Sequence, residues 1–267
     1  MTRLDADTIR TVLGDLASSR LAGIETFAEI DSTNSYLMQC EAPVPGRFRV
    51  ALTDNQTAGR GRHGRRWSSP PDSGLCLSIG YTFARQPGDL AALTLAIGLG
   101  VVDGLEELGA PGVQLKWPND LIANDGKLGG ILTETQPLPG GAIAVVSGIG
   151  LNVDLPEKFD LPDRLDGPQH VIDLTGFTDS VPPLNQLAAR LIDRLCMTCV
   201  TFEQGGFPPY AERWSEHDWL LGRALVVNTP GQQVAGIGAG VAADGALLVD
   251  TGGGSVSRVT SGTVIAA

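Results

Sequence analysis

The sequence is short of aromatic residues, of basic residues and of histidine. Only 5% of its 267 residues are Phe, Trp or Tyr. Lys and Arg number 19 against 30 Asp and Glu, giving a formal net charge of −11. Non-specific nucleic-acid binding needs a positive surface, so it is excluded as the main role. The three histidines, His63, His170 and His217, lie too far apart to form a metal-ligand spacing. There is no G-x-S-x-G elbow for a Ser/His/Asp hydrolase and no G-x-x-x-x-G-K-[ST] phosphate loop. The stretch MTRLDADTIRTVLGDL has acidic residues throughout and no apolar core, so it does not read as a signal peptide. The most apolar segment, Leu90 to Leu108, contains Asp103, Glu106 and Glu107 and reads as a buried helix rather than a membrane span. The 4 cysteines (Cys40, Cys76, Cys196, Cys199) accompany no export signal, so a reduced cytoplasmic setting is expected. The Cys196-x-x-Cys199 pair falls in a helical pattern without a second ligand pair and reads as structural.

What is present is ordinary for a globular chain: 42% apolar and 18% charged residues, with 35 Gly and 17 Pro that call for many turns. Asp5 can cap a first helix carrying Ile9, Val12, Leu13, Leu16 and Ala17 on one face. Too little chain precedes Asp31 for a helix-turn-helix with its supporting core, so no DNA-reading module is expected. Ser32 and Thr33 can cap a short helix starting near Asn34. Strands are predicted over Phe48 to Thr53, Leu75 to Tyr81, Val113 to Trp117, Leu121 to Ala123, Leu128 to Glu134 and Ala142 to Ser147. The dipeptide Asp125-Gly126 marks a hairpin between two of them. A helix with Leu184, Leu187, Ala188, Leu191, Leu195 and Cys199 on one face follows. Mostly consecutive strands with few crossover helices predict an α+β fold. From about Gly222 short β-like runs alternate with Pro-Gly, Asp-Gly and Gly-Gly-Gly turns, which predicts a small all-β barrel. The boundary is placed at residues 217–222, giving domains 1–219 and 220–267.

Four motifs carry chemistry. Gly59-Arg60-Gly61-Arg62-His63-Gly64-Arg65-Arg66-Trp67 packs four arginines into seven residues of an acidic chain. Guanidinium forks suit carboxylate and phosphate oxygens, and the glycines let backbone approach a ligand. A bare arginine cluster can be a solvated loop, but such a loop needs neither alternating glycines nor a terminal Trp. The stretch also fits G-x-G-x-x-G. That fingerprint requires a strand running straight into a helix, whereas Arg-Arg-Trp-Ser-Ser-Pro-Pro cannot open one. Lys116-Trp117-Pro118-Asn119-Asp120 forms a fixed turn at a strand end, and Lys127 stands at the mouth of the next hairpin. Gly148-Ile149-Gly150-Leu151-Asn152-Val153 puts glycines inside a strand, where they serve close approach or a bulge. Asp31-Ser32-Thr33-Asn34 offers hydroxyls and an amide that can cap a helix or bind a polar ring such as a urea.

In this order, Ser-Thr-Asn, GRGRHGRRW, KWPND, KLGGIL and GIGLNV resemble the biotin–protein ligase family over residues 26–153, in its type without an N-terminal DNA-binding domain. The β-rich tail looks like that family's SH3-like C-terminal domain. The resemblance implies a catalytic domain like that of class II aminoacyl-tRNA synthetases and biotin ligases. It implies that Ser32, Thr33 and Asn34 hold the biotin rings, with Gln56, Arg60, Gly61, Gly148 and Gly150 around them. Arg62 would face the biotin carboxylate and the α-phosphate, and Lys127 would reach both. Arg65, Trp67, Lys116, Asn119, Asp120 and Asn152 would complete the ATP side. Arg62, Lys127 and Asp120 are the expected catalytic residues. ATP and Mg2+ would act as co-substrate and activator, with the ion carried on the phosphates and touching Asp120 at most, and no tightly bound prosthetic group. The expected acceptor is a lysine of a biotin carboxyl carrier domain, with no nucleic-acid or membrane partner, in a monomer or homodimer. A lipoate–protein ligase and a non-catalytic module that binds biotin or an adenylate are the alternatives.

Overall fold

The computed structural model describes residues 3–68, 70–157 and 170–266. Asp5 caps α1 (Ala6–Thr11) by accepting from the Thr8 N–H. The single helix expected there is broken. α2 (Asp15–Arg20) starts afresh at Gly14, whose N–H donates to Asp193 Oδ1 at 2.9 Å. A helix-interior glycine costs on the order of 1 kcal/mol, and this side-chain acceptor favours the break further.

The chain continues through β1 (Leu21–Phe27), α3 (Thr33–Gln39), β2 (Phe48–Thr53), β3 (Gly74–Phe83), α4 (Leu93–Glu107), β4 (Gln114–Lys116), β5 (Asp120–Ala123), β6 (Gly126–Pro137) and β7 (Ile143–Asn152). Next come α5 (Leu184–Gly205) and α6 (Ala211–His217), then β8 (Ala224–Thr229), β9 (Gln232–Val241), β10 (Leu247–Gly252), β11 (Ser255–Val259) and β12 (Thr263–Ala266). The first seven strands form one sheet in the order β1-β2-β3-β7-β6-β5-β4. Only the β1–β2 pairing is parallel, so the α+β expectation holds. The β5–β6 hairpin turns one residue earlier than expected. Asn124 and Asp125 take the left-handed positions (φ 45° and 56°), and Gly126 already pairs with Ala123.

Strand β3 is buried at every residue, because both faces of the sheet are covered there. Leu75, Leu77, Ile79, Tyr81 and Phe83 join the main core with α4 and α5. The stripe of α5 that includes Leu187, Leu191, Leu195 and Cys199 is buried in that core. Cys196 and Cys199 are free buried thiols, and burial raises both pKa values. On the other face α3 covers a small cluster of Leu37, Ala51 and Val146.

The last five strands form a second, wholly antiparallel sheet in the order β11-β10-β9-β8-β12. It is not an isolated appendage. Leu225, Val227, Leu247, Val249, Val259 and Val264 belong to the same apolar cluster as the large sheet. The Trp219 N–H donates to the Leu115 carbonyl, and Trp117 Nε1 donates to the Gly245 carbonyl, both at 3.0 Å. Among the described residues no helix is long and apolar enough to cross a membrane.

Candidate active site

Strand register builds the floor of one cavity. Side chains alternate across a pleated sheet, so directly paired residues share a face. One row runs Thr53, Cys76, Gly150, Gly130, Asp120, and the next runs Ala51, Ser78, Gly148, Leu132. Both rows lie on the face that carries α3. The cavity above them has a volume of about 160 Å³. Every residue expected at the site, from Ser32 to Asn152, lines its wall.

The α3 end of the cavity is neutral and hydrogen-bonded. Ser32 caps the helix by accepting from the Ser35 N–H. Ser32, Thr33 and Asn34 are all buried. Gln56 Oε1 accepts from the Thr33 N–H at 2.8 Å and from its hydroxyl at 3.2 Å. Ser78 Oγ donates to Asn34 Oδ1 at 2.6 Å and lies 2.7 Å from Thr33 Oγ1. Asn34 Nδ2 donates to the Leu132 carbonyl at 3.1 Å and to Glu134 Oε2 at 2.9 Å. A Cβ at position 148 would collide with Asn34 Oδ1, so Gly148 is what lets the amide settle on the sheet.

The arginine stretch forms a short hairpin over the other end. Trp67 N–H donates to Gly59 O at 3.0 Å, and Gly61 N–H donates to Arg65 O at 2.7 Å. Its tip is a single 3-10 turn over Arg62–Gly64, with His63 and Gly64 at φ 56° and 74°. This is neither a strand-to-helix turn nor a dinucleotide loop. The hairpin lowers the Trp67 indole onto Gly150 and Gly130, and a Cβ on Gly150 would strike the ring. The close approach that the strand glycines permit is therefore made by two side chains, Asn34 and Trp67. Beneath the indole, burial pushes the Cys76 thiol up to about 12, which leaves it protonated and inert.

Positive charge gathers here. Arg60, Arg62, Arg65, Arg66, Lys116 and Lys127 line the cavity, six of the chain's 19 basic residues, against Asp120 as the one carboxylate among the described lining residues. Burial pulls the Arg62 guanidinium below its ordinary value, Asp120 opposes that, and Arg65 adds to it. Arg62 also donates to Asn119 Oδ1 at 3.3 Å, and Asn119 Nδ2 donates to the Ile131 carbonyl at 3.0 Å. Lys127 Nζ donates to Asp120 Oδ1 at 2.7 Å. Lys116 is buried at 3% exposure. Arg60 and Asn152, like Asn34 and Asn119, are committed to partners within the protein. The Arg60 guanidinium is paired with Glu134 at 2.6 Å, and Asn152 Nδ2 donates to the carbonyls of Lys127 and Ile172 at 3.3 and 3.1 Å.

Sequence reasoning missed Ser78 and Glu134, which organise the neutral end, and Gly262, Thr263 and Val264, which bring the C-terminal sheet to the cavity wall. A polar residue inside an otherwise apolar strand was the only signal for Ser78.

Known proteins resemble this chain in sequence and in fold. Residues 26–154 match the biotin/lipoate A/B protein ligase family, and residues 220–265 match the biotin protein ligase C-terminal domain. The biotin–[acetyl-CoA-carboxylase] ligase of Mycobacterium tuberculosis is 35% identical over 257 residues, covering 93% of this chain and 91% of that protein. The bifunctional ligase/repressor BirA of Salmonella typhimurium is 34% identical over 253 residues, covering 94% of this chain and 74% of its own. The structure of a biotin protein ligase from Aquifex aeolicus in complex with biotin and ATP superposes with a TM-score of 0.73. It shares 23% identity and covers 92% of this chain and 99% of that one.

Proposed function

The chain belongs to the biotin protein ligase family, and from that premise we propose how its cavity residues divide the work of attaching biotin to protein. The activity is that of a biotin–protein ligase, with biotin and ATP as substrates. The observation that carries the residue assignments is the polarity of the cavity: a neutral hydrogen-bonding corner at one end and a cluster of cations at the other.

A urea ring is neutral and offers both donors and acceptors. Ser32, Thr33, Asn34 and Gln56 supply the complementary groups, already oriented by one another and by Ser78. The valerate chain then points its carboxylate toward Arg62 and Lys127. One carboxylate oxygen attacks the α-phosphorus of ATP, and the bond from that phosphorus to the bridging oxygen of pyrophosphate breaks. Two anions must meet, and charge builds as they do, so fixed cations lower the barrier by position and electrostatics. Asn119, Lys116, Arg65 and Trp67 complete the nucleotide side. Trp67 and the hairpin exclude water, which would otherwise hydrolyse the mixed anhydride. In the second step a lysine amine of the acceptor attacks the acyl carbon, AMP leaves, and the amine proton goes to a base. Asp120, the one carboxylate among the described lining residues, is our candidate to take it.

No group of three carboxylate, His or Cys side chains among the described residues forms a metal cage. Asp120 would be the side chain to meet a magnesium ion brought in with ATP, and the ion would supply charge neutralisation. The acceptor is a biotin carboxyl carrier domain, the setting is cytoplasmic, and the chain divides at 219/220. The match of residues 220–265 to a biotin ligase domain supports biotin over lipoate, which the N-terminal family also includes. Pyrophosphate–ATP exchange tests the first step. It should require biotin and should not respond to lipoate or octanoate, and exchange driven by lipoate alone would overturn the reading.

A further inference from the structure

We propose that Glu134 is a positioning residue that couples the biotin-holding corner to closure of the arginine hairpin. The kinetic part of this inference rests on the ligase reading above. Glu134 stands on β6 two residues beyond Leu132, on the same face, and pairs across with Val146. It is not part of the cavity wall. One of its oxygens, Oε2, accepts both from Asn34 Nδ2 at 2.9 Å and from an Arg60 guanidinium nitrogen at 2.6 Å. These donors come from separate elements, the start of α3 and the start of the hairpin.

Asn34 has no freedom to follow a moving hairpin. Its amide is also held by Ser78 and by the Leu132 carbonyl, and it rests on the space above Gly148. Arg60 lies at the base of the hairpin, in an isolated bridge with Arg66. Pinning Arg60 to Glu134 therefore pins the base from which Arg62 and Trp67 project into the cavity. The pairing also settles the fate of Arg60, whose charge is answered by Glu134 instead of adding to the cluster that meets the phosphates. Charge-assisted hydrogen bonds are the stronger kind, but Arg60 is 43% and Glu134 25% exposed, so solvent screens the pair. The contact is suited to biasing an open–closed equilibrium rather than to locking one state.

When only a fraction of molecules is closed, apparent affinity falls by that fraction while the chemistry of the closed complex does not change. Glu134→Ala should raise the KM for biotin by about tenfold and change kcat for exchange by less than about twofold. Without ligand it should speed trypsin cleavage after the hairpin arginines by a similar factor. Glu134→Gln keeps an acceptor oxygen at the same place and should restore most of both effects. Arg60→Ala should mimic Glu134→Ala, and the double variant should be no worse than the more affected single one. Hairpin cleavage and biotin KM within twofold of the parent in Glu134→Ala, or single effects that multiply in the double variant, would overturn the proposal. Should Glu134→Ala fold poorly, Glu134→Gln and Arg60→Ala decide the matter by the same two readouts. If the parent protein showed no biotin-dependent exchange, the ligase reading would fail. Cleavage of the ligand-free hairpin would still report on Glu134.

Discussion

Arg62 and Lys127 differ in what each leaves behind when removed. Arg62 points its guanidinium at the Asn119 amide oxygen, with Asp120 close enough to act on its charge. Arg62→Ala therefore removes one preorganised cation and should lower the rate of biotin adenylation by roughly 10²–10³-fold. A loss under threefold, read by pyrophosphate exchange at saturating substrates, would show that another arginine meets the phosphate. Lys127→Ala should cost a similar factor for two reasons, because it also strips Asp120 of its 2.7 Å partner and leaves a bare carboxylate facing incoming anions. Adding Asp120→Asn to Lys127→Ala should then recover part of the adenylation loss, and a further loss would contradict that picture. Local motifs made these residues legible: runs of Arg and Gly, a Pro-fixed turn, a lysine after a hairpin. Ser78 and Glu134 were not legible, because what brings them to Asn34 is strand register over separations of 44 and 100 residues. No local spacing encodes that pairing.

At the scale of elements, strands with a clear apolar pattern were readable and half-buried ones were not. β2 runs from Phe48 to Thr53 as its sequence predicts. β1 escaped notice because LAGIETF is an edge strand with Ile24 its only buried residue, so no alternation marks it. The joint after α6 offers a test of a different kind. Burial raises the Asp218 carboxyl to about 6, even though backbone N–H groups and Trp214 pull it the other way. As pH rises from about 4 to about 6 the unfolded chain gives up this proton while the folded chain keeps it. Folding should weaken across that window by on the order of 3 kcal/mol and lose nothing more from this group above it. Asp218→Asn does not titrate. Urea denaturation should show the variant gaining on the parent between about pH 4 and pH 6, with a constant gap at higher pH. A gap that does not change with pH would place the Asp218 titration elsewhere.

The whole molecule reconciles a net negative charge with a cationic cavity by gathering six of 19 basic residues around it, Arg60 among them answered by Glu134. Its class, α+β with an all-β tail, could be read from the order of segments. How the tail joins could not. Trp117 reads as part of a ligand-binding turn, yet its indole N–H goes to the Gly245 carbonyl of the C-terminal sheet. Trp219 and Arg223 likewise reach back to Asp125 in the β5–β6 turn, at 2.8 and 2.9 Å. With apolar contacts continuous from one sheet to the other, the two parts should unfold together. Calorimetry should show one transition whose van't Hoff and calorimetric enthalpies agree, and two resolved transitions would contradict a shared core.

The central claim is that this cavity activates biotin and hands it to a protein lysine. Mass spectrometry of a biotin carboxyl carrier domain, incubated with the protein, biotin and magnesium ATP, tests it most directly. The carrier domain should gain the mass of one biotinoyl group on one lysine, and only when ATP is present. An unchanged carrier mass in the presence of folded protein and all three components would contradict the account.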